Sequence, residues 1–357
     1  LGEDHDPASP VGKSFEHVSP FGELANTYVH SIGAPATWLG GVSRLQHLRA
    51  QAGENGDVHR ATWCQCFSPS RTAPSLPFVS DAPVTSPLLS MPGMDADRAR
   101  IDAAMRAAVV TSDPYLTEIA SHLIVAGGKR LRPVLALVAG QLDGGSAGDD
   151  VVQGGVACEL VHLGSLYHDD VMDEAETRRG VDTVNARWGN LQAILAGDFL
   201  LSRASEIAAS LGTEVAGLLA RTIGWLCEGQ IEELRHTYSV DRPEQSYLAS
   251  IHGKTASLYG TAARIGGIVA ELERPTIDAL TDYGNAYGMV FQIVDDVLDL
   301  TATAEQLGKP AGHDMEEGVY TLPVLRTLAS GRSAADELRD LLGKPLDPTE
   351  RDKAIGI

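Results

Sequence analysis

Cysteine, aromatic residues, positive charge and long apolar runs are all scarce in this chain, and each scarcity closes off a class of protein. The four cysteines, Cys64, Cys66, Cys158 and Cys227, are too few and too irregular for a disulfide framework. Only Cys64 and Cys66 are near neighbours, and no cluster of histidine or further cysteine joins them into a zinc site. A reducing, cytoplasmic setting is expected. Lysine and arginine number 28 against 48 aspartates and glutamates, for a net charge of -20 and a pI near 4.8. A nucleic-acid partner needs a clustered basic surface and is therefore not expected. Any phosphate chemistry must use a few placed cations or metal ions. No apolar run approaches the roughly 18 to 20 residues of a membrane span, and stretches such as 134–139 are core-sized. A soluble protein is expected, one that a lipid product could still bring to a membrane surface for release.

What is present divides into two unlike regions. The chain has 357 residues, 43% of them hydrophobic, enough for one large core or two ordinary domains. Residues 1–93 are punctuated by Pro, Ser and Gly, hold no lasting hydrophobic period, and carry eight Asp/Glu against five Lys/Arg. That balance is wrong for a transit peptide, so a disordered or non-native extension is expected ahead of a start near Met91 or Met94. From residue 94 the sequence is rich in Ala and Leu at helical spacing. Helices are expected over 101–108, 116–125, 134–141, 152–167, 192–210, 215–237, 256–270 and 276–300, separated by Gly and Pro clusters. An all-α domain over 94–357 follows, with no strand. The chain begins with Leu and stops soon after Lys344-Pro345, so truncation at the C-terminus is expected.

Two acidic sets stand out: Asp169, Asp170 and Asp173, then Asp295, Asp296 and Asp299. Spacing of i, i+1, i+4 confines three carboxylates to an arc of about 100° on one helix. Neighbouring carboxylates repel by a few kcal/mol at an effective dielectric near 20, so two such faces call for a counter-ion. Hard oxygen ligands with room for water suit Mg²⁺. A solvated acidic stripe is the plain alternative, yet each set follows an apolar stretch, 163–167 and 289–294, where a helix leaves a core.

Cations accompany them. Lys129, Arg130 and Arg132 follow the Gly127-Gly128 turn, as expected where guanidinium forks hold phosphate, although exposed basic residues beside a helix end would look the same. Arg178 and Arg179 lie just beyond the first acidic set, Lys254-Thr255 and Lys309 add ammonium groups, and His162 precedes Asp169 by one heptad. A lone helical histidine is usually a core residue, but this one lies beside the acidic cluster. The pattern describes anionic substrates bridged by metal on one side and gripped by Arg and Lys on the other.

These residues resemble the polyprenyl synthetase family, the trans-isoprenyl diphosphate synthases. The likeness runs from about 127 to 323 and rests on GGKRLRP at 127–133, HDDVMDEAETRRG at 168–180, AGDFLL at 196–201, GKTASL at 253–258, FQIVDDVLDLT at 291–301, LGKPAGHDMEEG at 307–318 and TLP at 321–323, in the family's order.

The resemblance implies an all-α helical bundle of the terpenoid synthase kind around a deep apolar cavity, usually a homodimer. It implies condensation of an allylic prenyl diphosphate with isopentenyl diphosphate to a polyprenyl diphosphate. Asp169, Asp170, Asp173, Asp295, Asp296 and Asp299 would bind three Mg²⁺ ions. Lys254, Arg178 and Lys309 would hold the allylic diphosphate with Thr255 and Gln292 nearby, and Lys129, Arg132, His162 and Arg179 would receive isopentenyl diphosphate. Catalysis would rest on Asp169, Asp170, Asp173, Lys254 and Asp295. Gly164 and Ser165, small and just before the first motif, imply an open elongation channel and a medium or long product. Two departures are Val319 and Tyr320, where the family often has Lys, and the family's final helices, expected to be missing after Pro348. The competing readings are a geranylgeranyl-type short-chain synthase, a class I terpene cyclase, whose second metal motif usually differs, and a non-catalytic subunit of a hetero-oligomeric synthase, which commonly loses aspartates that are all present here.

Overall fold

Ala- and Leu-rich helical periodicity, interrupted by Gly and Pro, becomes a bundle of helices with almost no extended backbone among the described residues. The computed structural model describes residues 87–142, 144, 146–303 and 311–357. Residues 1–86 of the extension expected over 1–93, with Cys64 and Cys66, and Lys309 lie outside the described residues. The chain divides into two units, Leu1–Met91 and Pro92–Ile357. Of the first, the described part holds a 3₁₀ turn, Pro87–Ser90.

The second unit opens with α1 (Met94–Ala108), α2 (Pro114–Val125), α3 (Leu131–Gly140) and α4 (Asp149–Met172). Helix α2 starts where Asp113 caps the N–H of Tyr115 at 2.9 Å and Pro114 takes the first turn, where its missing donor costs nothing. After α5 (Val184–Trp188) come α6 (Asn190–Ser210), α7 (Thr213–Leu234), α8 (Glu244–Ile251), α9 (Ser257–Val269) and α10 (Arg274–Thr301). The expected helices over 101–300 are all present, with boundaries shifted by a few residues in most cases. Helices α3, α4 and α9 are apolar on nearly every side and form the middle of the bundle, as all-round burial requires. Helix α6 packs on α4, and α10 on α9.

Two expectations are corrected. A short antiparallel ribbon, β1 (Thr177–Arg178) and β2 (Val181–Asp182), interrupts the helices. Its turn residues Arg179 and Gly180 both have positive φ, 55° and 78°, the geometry that twists a two-residue hairpin correctly. Helix periodicity does not register a turn this short, and the all-α class is unaffected.

The sequence after 300 also carries structure: α11 (His313–Glu316), α12 (Leu322–Leu328), α13 (Ser333–Leu341) and α14 (Pro348–Gly356). Helix α14 begins at Pro348, and its start is a reciprocal capping box between Asp347 and Glu350. Ala354 from α14, Leu338, Tyr320 and Met315 share one buried cluster with Tyr247 and Ile251 of α8. Tyr320, which departs from the family's Lys, is fully buried there, and its hydroxyl accepts the Gly343 N–H at 2.6 Å.

The second correction concerns Gly164. A Cβ at this position would lie 3.0 Å from the Gly197 carbonyl oxygen and 3.2 Å from Leu201. Its smallness lets α4 approach α6, so Gly164 is a helix-packing residue and not an open channel position. Among the described residues no helix is long and apolar enough to cross a membrane.

Candidate active site

The first acidic set closes α4. Asp169 and Asp170 occupy its last turn, while Asp173 is the residue after it, donating its N–H to the Asp169 carbonyl at 2.8 Å. Asp170 is fully buried; Oδ1 accepts from Nε of Arg178, and Oδ2 is buried without a hydrogen bond. Burial raises all three carboxyls above their ordinary range, and Asp173 is pushed up to about 6, with Glu317 and Asp169 adding repulsion. For Asp169 and Asp173, Lys254 and Arg178 pull the other way. Asp173 is exposed, so solvent moderates its share of that repulsion.

The second set sits inside α10, and its three members do different things. Asp295 is exposed; Asp296 and Asp299 are buried. Asp296 accepts at Oδ1 from Nε2 of Gln292, at 2.8 Å, and at Oδ2 from the Tyr247 hydroxyl, at 2.5 Å. Burial nevertheless pushes its carboxyl up to about 6, with Asp295 and Glu233 adding repulsion. Gln292 in turn accepts the Thr255 hydroxyl at 2.8 Å. Asp299 accepts the Asp314 N–H at 3.3 Å and its carbonyl accepts the Gly312 N–H at 2.7 Å, tying α10 to α11.

Lys254 joins the two sets. It lies in a π turn, His252–Ala256, between α8 and α9, an irregularity common at functional sites. Gly229 of α7 makes the approach possible: a Cβ there would meet the Ser250 carbonyl oxygen at 2.7 Å and the Lys254 N–H nitrogen closer still. One turn on, Glu233 accepts from Nζ of Lys254 at 2.7 Å. Burial works against the ammonium charge, but Glu233, Asp169 and Asp173 outweigh it and raise the Lys254 pKa. Glu233 also acts on both Asp169 and Asp296. The two acidic faces therefore border one site, with the Lys254–Glu233 pair between them.

The cations of the 127–133 turn separate by burial. Arg130 is 3% exposed and donates to Glu159 and Asp102, each at 3.1 Å, and to the Ile124 carbonyl at 2.9 Å. It is a core ion pair holding α2, α3 and α4 together. Lys129 is exposed, and the Arg132 guanidinium lies 4.4 Å from the centroid of the Tyr259 ring, a cation–π contact. Arg179 donates to the Gly127 carbonyl and lies so close over Gly128, at φ 148°, that a Cβ there would meet its Nη1 at 2.9 Å. Burial lowers the pKa of His162, and Arg132, Arg179 and Arg178 lower it further. A neutral imidazole among guanidinium groups results, and the four residues expected at one anion site fall on adjoining elements.

Residues beyond those expected complete the site. Glu317 lies in the 307–318 motif without being singled out by it, and Glu233 and Tyr247 carry no motif; their sole sequence trace is Gly229, which places a small residue and Glu233 on one helical face at i, i+4. Among the described residues no group of three His, Cys, Asp or Glu converges as a ready-made metal cage. That spread fits a hard ion that keeps waters and shares substrate oxygens, and the orphaned Oδ2 of Asp170 is the buried acceptor a cation would complete.

Known proteins resemble this chain in sequence and fold. The polyprenyl synthetase family model matches residues 113–356. A nonaprenyl diphosphate synthase of Mycobacterium tuberculosis is 40% identical over 250 residues, covering 70% of this chain and 74% of that protein. Heptaprenyl diphosphate synthase component 2 of Geobacillus stearothermophilus is 43% identical over 243 residues, 67% and 75% of the two chains. Among solved structures, a polyprenyl synthase from Caulobacter crescentus complexed with calcium and isoprenyl diphosphate has a TM-score of 0.70 at 32% identity, covering 75% of this chain and 82% of that one.

Proposed function

The chain belongs to the polyprenyl synthetase family of prenyltransferases, and from that premise we propose that it lengthens an allylic prenyl diphosphate with isopentenyl diphosphate. The observation that carries this reading is the Lys254–Glu233 pair bordering both acidic faces. A diphosphate between the faces meets an ammonium group directly and carboxylates that need a cation.

In this reading Lys254 and Arg178, with Thr255 and Gln292 and with Lys309 from the expected set, hold the allylic diphosphate. Lys129, Arg132, Arg179 and the neutral His162 hold isopentenyl diphosphate. Three Mg²⁺ ions on Asp169, Asp170, Asp173, Asp295, Asp296 and Asp299 would neutralise charge on the leaving group when bound. The fixed cations, already oriented by Glu233 and by Asp170, stabilise the charge that grows as the allylic C–O bond breaks. The isopentenyl double bond supplies the electron pair for the new C–C bond, and a proton is lost with the released diphosphate as acceptor. Positioning of both diphosphates provides proximity, and exclusion of water protects the allylic cation.

Relatives named as nonaprenyl, heptaprenyl and octaprenyl diphosphate synthases support a medium or long product. Leu191, Ile194 and Leu195, exposed along α6 by 74%, 41% and 66%, support a homodimer. Purified protein incubated with isopentenyl diphosphate, allylic starters and Mg²⁺ should yield a polyprenyl diphosphate. No product would remove the reading; product that persists both in EDTA and in Asp169→Ala would remove its metal part, and a product no longer than C20 its chain-length part.

A further inference from the structure

Tyr247 belongs to none of the family motifs, yet it makes the most constrained polar contact at the second acidic face. Its ring is 1% exposed, packed with Ile251 and Met315, and the Arg242 guanidinium lies 5.8 Å from the ring centroid. Its hydroxyl donates to Oδ2 of Asp296 at 2.5 Å. Burial and the Asp296 carboxylate both raise the phenol pKa, so the hydroxyl stays a donor at any working pH.

Asp296 is thereby held at both oxygens, by Tyr247 from α8 and by Gln292 from its own helix. With its Nε2 committed to Asp296, Gln292 is left with its Oε1 facing the Thr255 hydroxyl, which donates at 2.8 Å. Thr255 adjoins Lys254 in the π turn. A continuous chain of hydrogen bonds runs from Tyr247 through Asp296 and Gln292 to Thr255, and each link fixes the orientation of the next. A side-chain amide can present either end, so without Asp296 nothing in this chain would tell Gln292 which end to offer.

We infer that Tyr247 is a positioning residue: by fixing Asp296 it sets Gln292 and Thr255, and so holds the Lys254 turn in the orientation that receives the allylic diphosphate. The inference rests on the proposed prenyl transfer and gives Asp296 this scaffold role beside its place in the metal set. Tyr247 touches no substrate; it acts through Asp296.

The test is Tyr247→Phe in the full chain, read two ways. Calorimetric binding of inorganic pyrophosphate with Mg²⁺ should weaken about 10- to 100-fold, the range for losing an outer partner of a ligand-site carboxylate. The KM for the allylic diphosphate should rise while that for isopentenyl diphosphate stays unchanged. The losses from Tyr247→Phe and Asp296→Asn should not multiply in the double variant, whereas those from Tyr247→Phe and Lys129→Ala should. Wild-type pyrophosphate affinity in Tyr247→Phe, equal rises in both KM values, or multiplicative losses with Asp296→Asn each overturn the inference. Should Tyr247→Phe not fold, Asp296→Asn tests the same link: its pyrophosphate affinity must fall at least about tenfold or the inference fails. Wild-type protein that makes no prenyl product sinks the proposed function instead, so the two failures are distinct.

Discussion

Two glycines five positions apart on α7 allow the close approach that builds the site to be measured. Gly224 is exposed, and a Cβ there meets nothing within 4 Å. Gly224→Ala should therefore stabilise the chain by about 0.5–1 kcal/mol, the ordinary helix preference for Ala over Gly. Gly229→Ala receives the same helical gain, but its Cβ falls 2.7 Å from the Ser250 carbonyl oxygen and 3.0 Å from the Gly253 carbonyl carbon. These are backbone atoms, so no flexible side chain can yield. Restoring ordinary contact at about 3.5 Å needs roughly 1 Å of separation between α7 and the π turn. Overpacking of that kind costs about 1–3 kcal/mol, so Gly229→Ala should be less stable than Gly224→Ala by at least that amount. The same displacement stretches the 2.7 Å Lys254–Glu233 contact beyond hydrogen-bond range, and a 1 Å misplacement can cost about 100-fold in rate. Urea unfolding of both variants gives the stability difference, and steady-state prenyl transfer gives the rate. If Gly229→Ala matches Gly224→Ala in unfolding midpoint and turns over like wild type, the claim that backbone contact sets Lys254 is wrong.

Three further outcomes are expected. Arg130→Ala leaves Glu159, 2% exposed, as a buried uncompensated charge and should lower unfolding free energy by about 3–5 kcal/mol, whereas exposed Lys129→Ala should shift it by less than about 0.5 kcal/mol and act on the KM for isopentenyl diphosphate. The Asp296 carboxyl, raised to about 6 in the folded chain from 3.8, means that the metal-free native state binds the extra proton in between. Its stabilising contribution is complete below the unfolded value and is lost as pH rises through about 6, an effect of at most about 3 kcal/mol. Denaturant midpoints between about pH 5 and pH 7 should fall more steeply with pH in wild type than in Asp296→Asn; equal slopes would refute the assignment. Ser165→Phe should shorten the prenyl product, read by chain-length chromatography, while Gly164→Phe should chiefly destabilise, because Gly164 faces Gly197 across α4 and α6.

Much of the molecule follows from sequence alone because helical periodicity and charge are local properties. The Ala- and Leu-rich repeats specify helices α1 to α4, α6, α7, α9 and α10, and two DDxxD sets with scattered Lys and Arg specify a site for anions and hard cations. Local spacing could not say which members of a set share a role. Asp295, Asp296 and Asp299 occupy one arc of a helix, yet Tyr247 and Gln292 hold the second and the Asp314 N–H binds the third. Lys129 and Arg130 are adjacent cations, but the turn buries one against Glu159 and leaves the other in solvent. Gly164 reads as an empty channel wall until Gly197 is found opposite it. Glu233 and Tyr247 lack any signature because their function lies in what they touch, Lys254 and Asp296, brought near by helix packing across 21 and 49 residues of chain. Residue type decided which chemistry was available, and tertiary contact decided which atoms carry it, since burial and hydrogen-bond partners are properties of the folded chain.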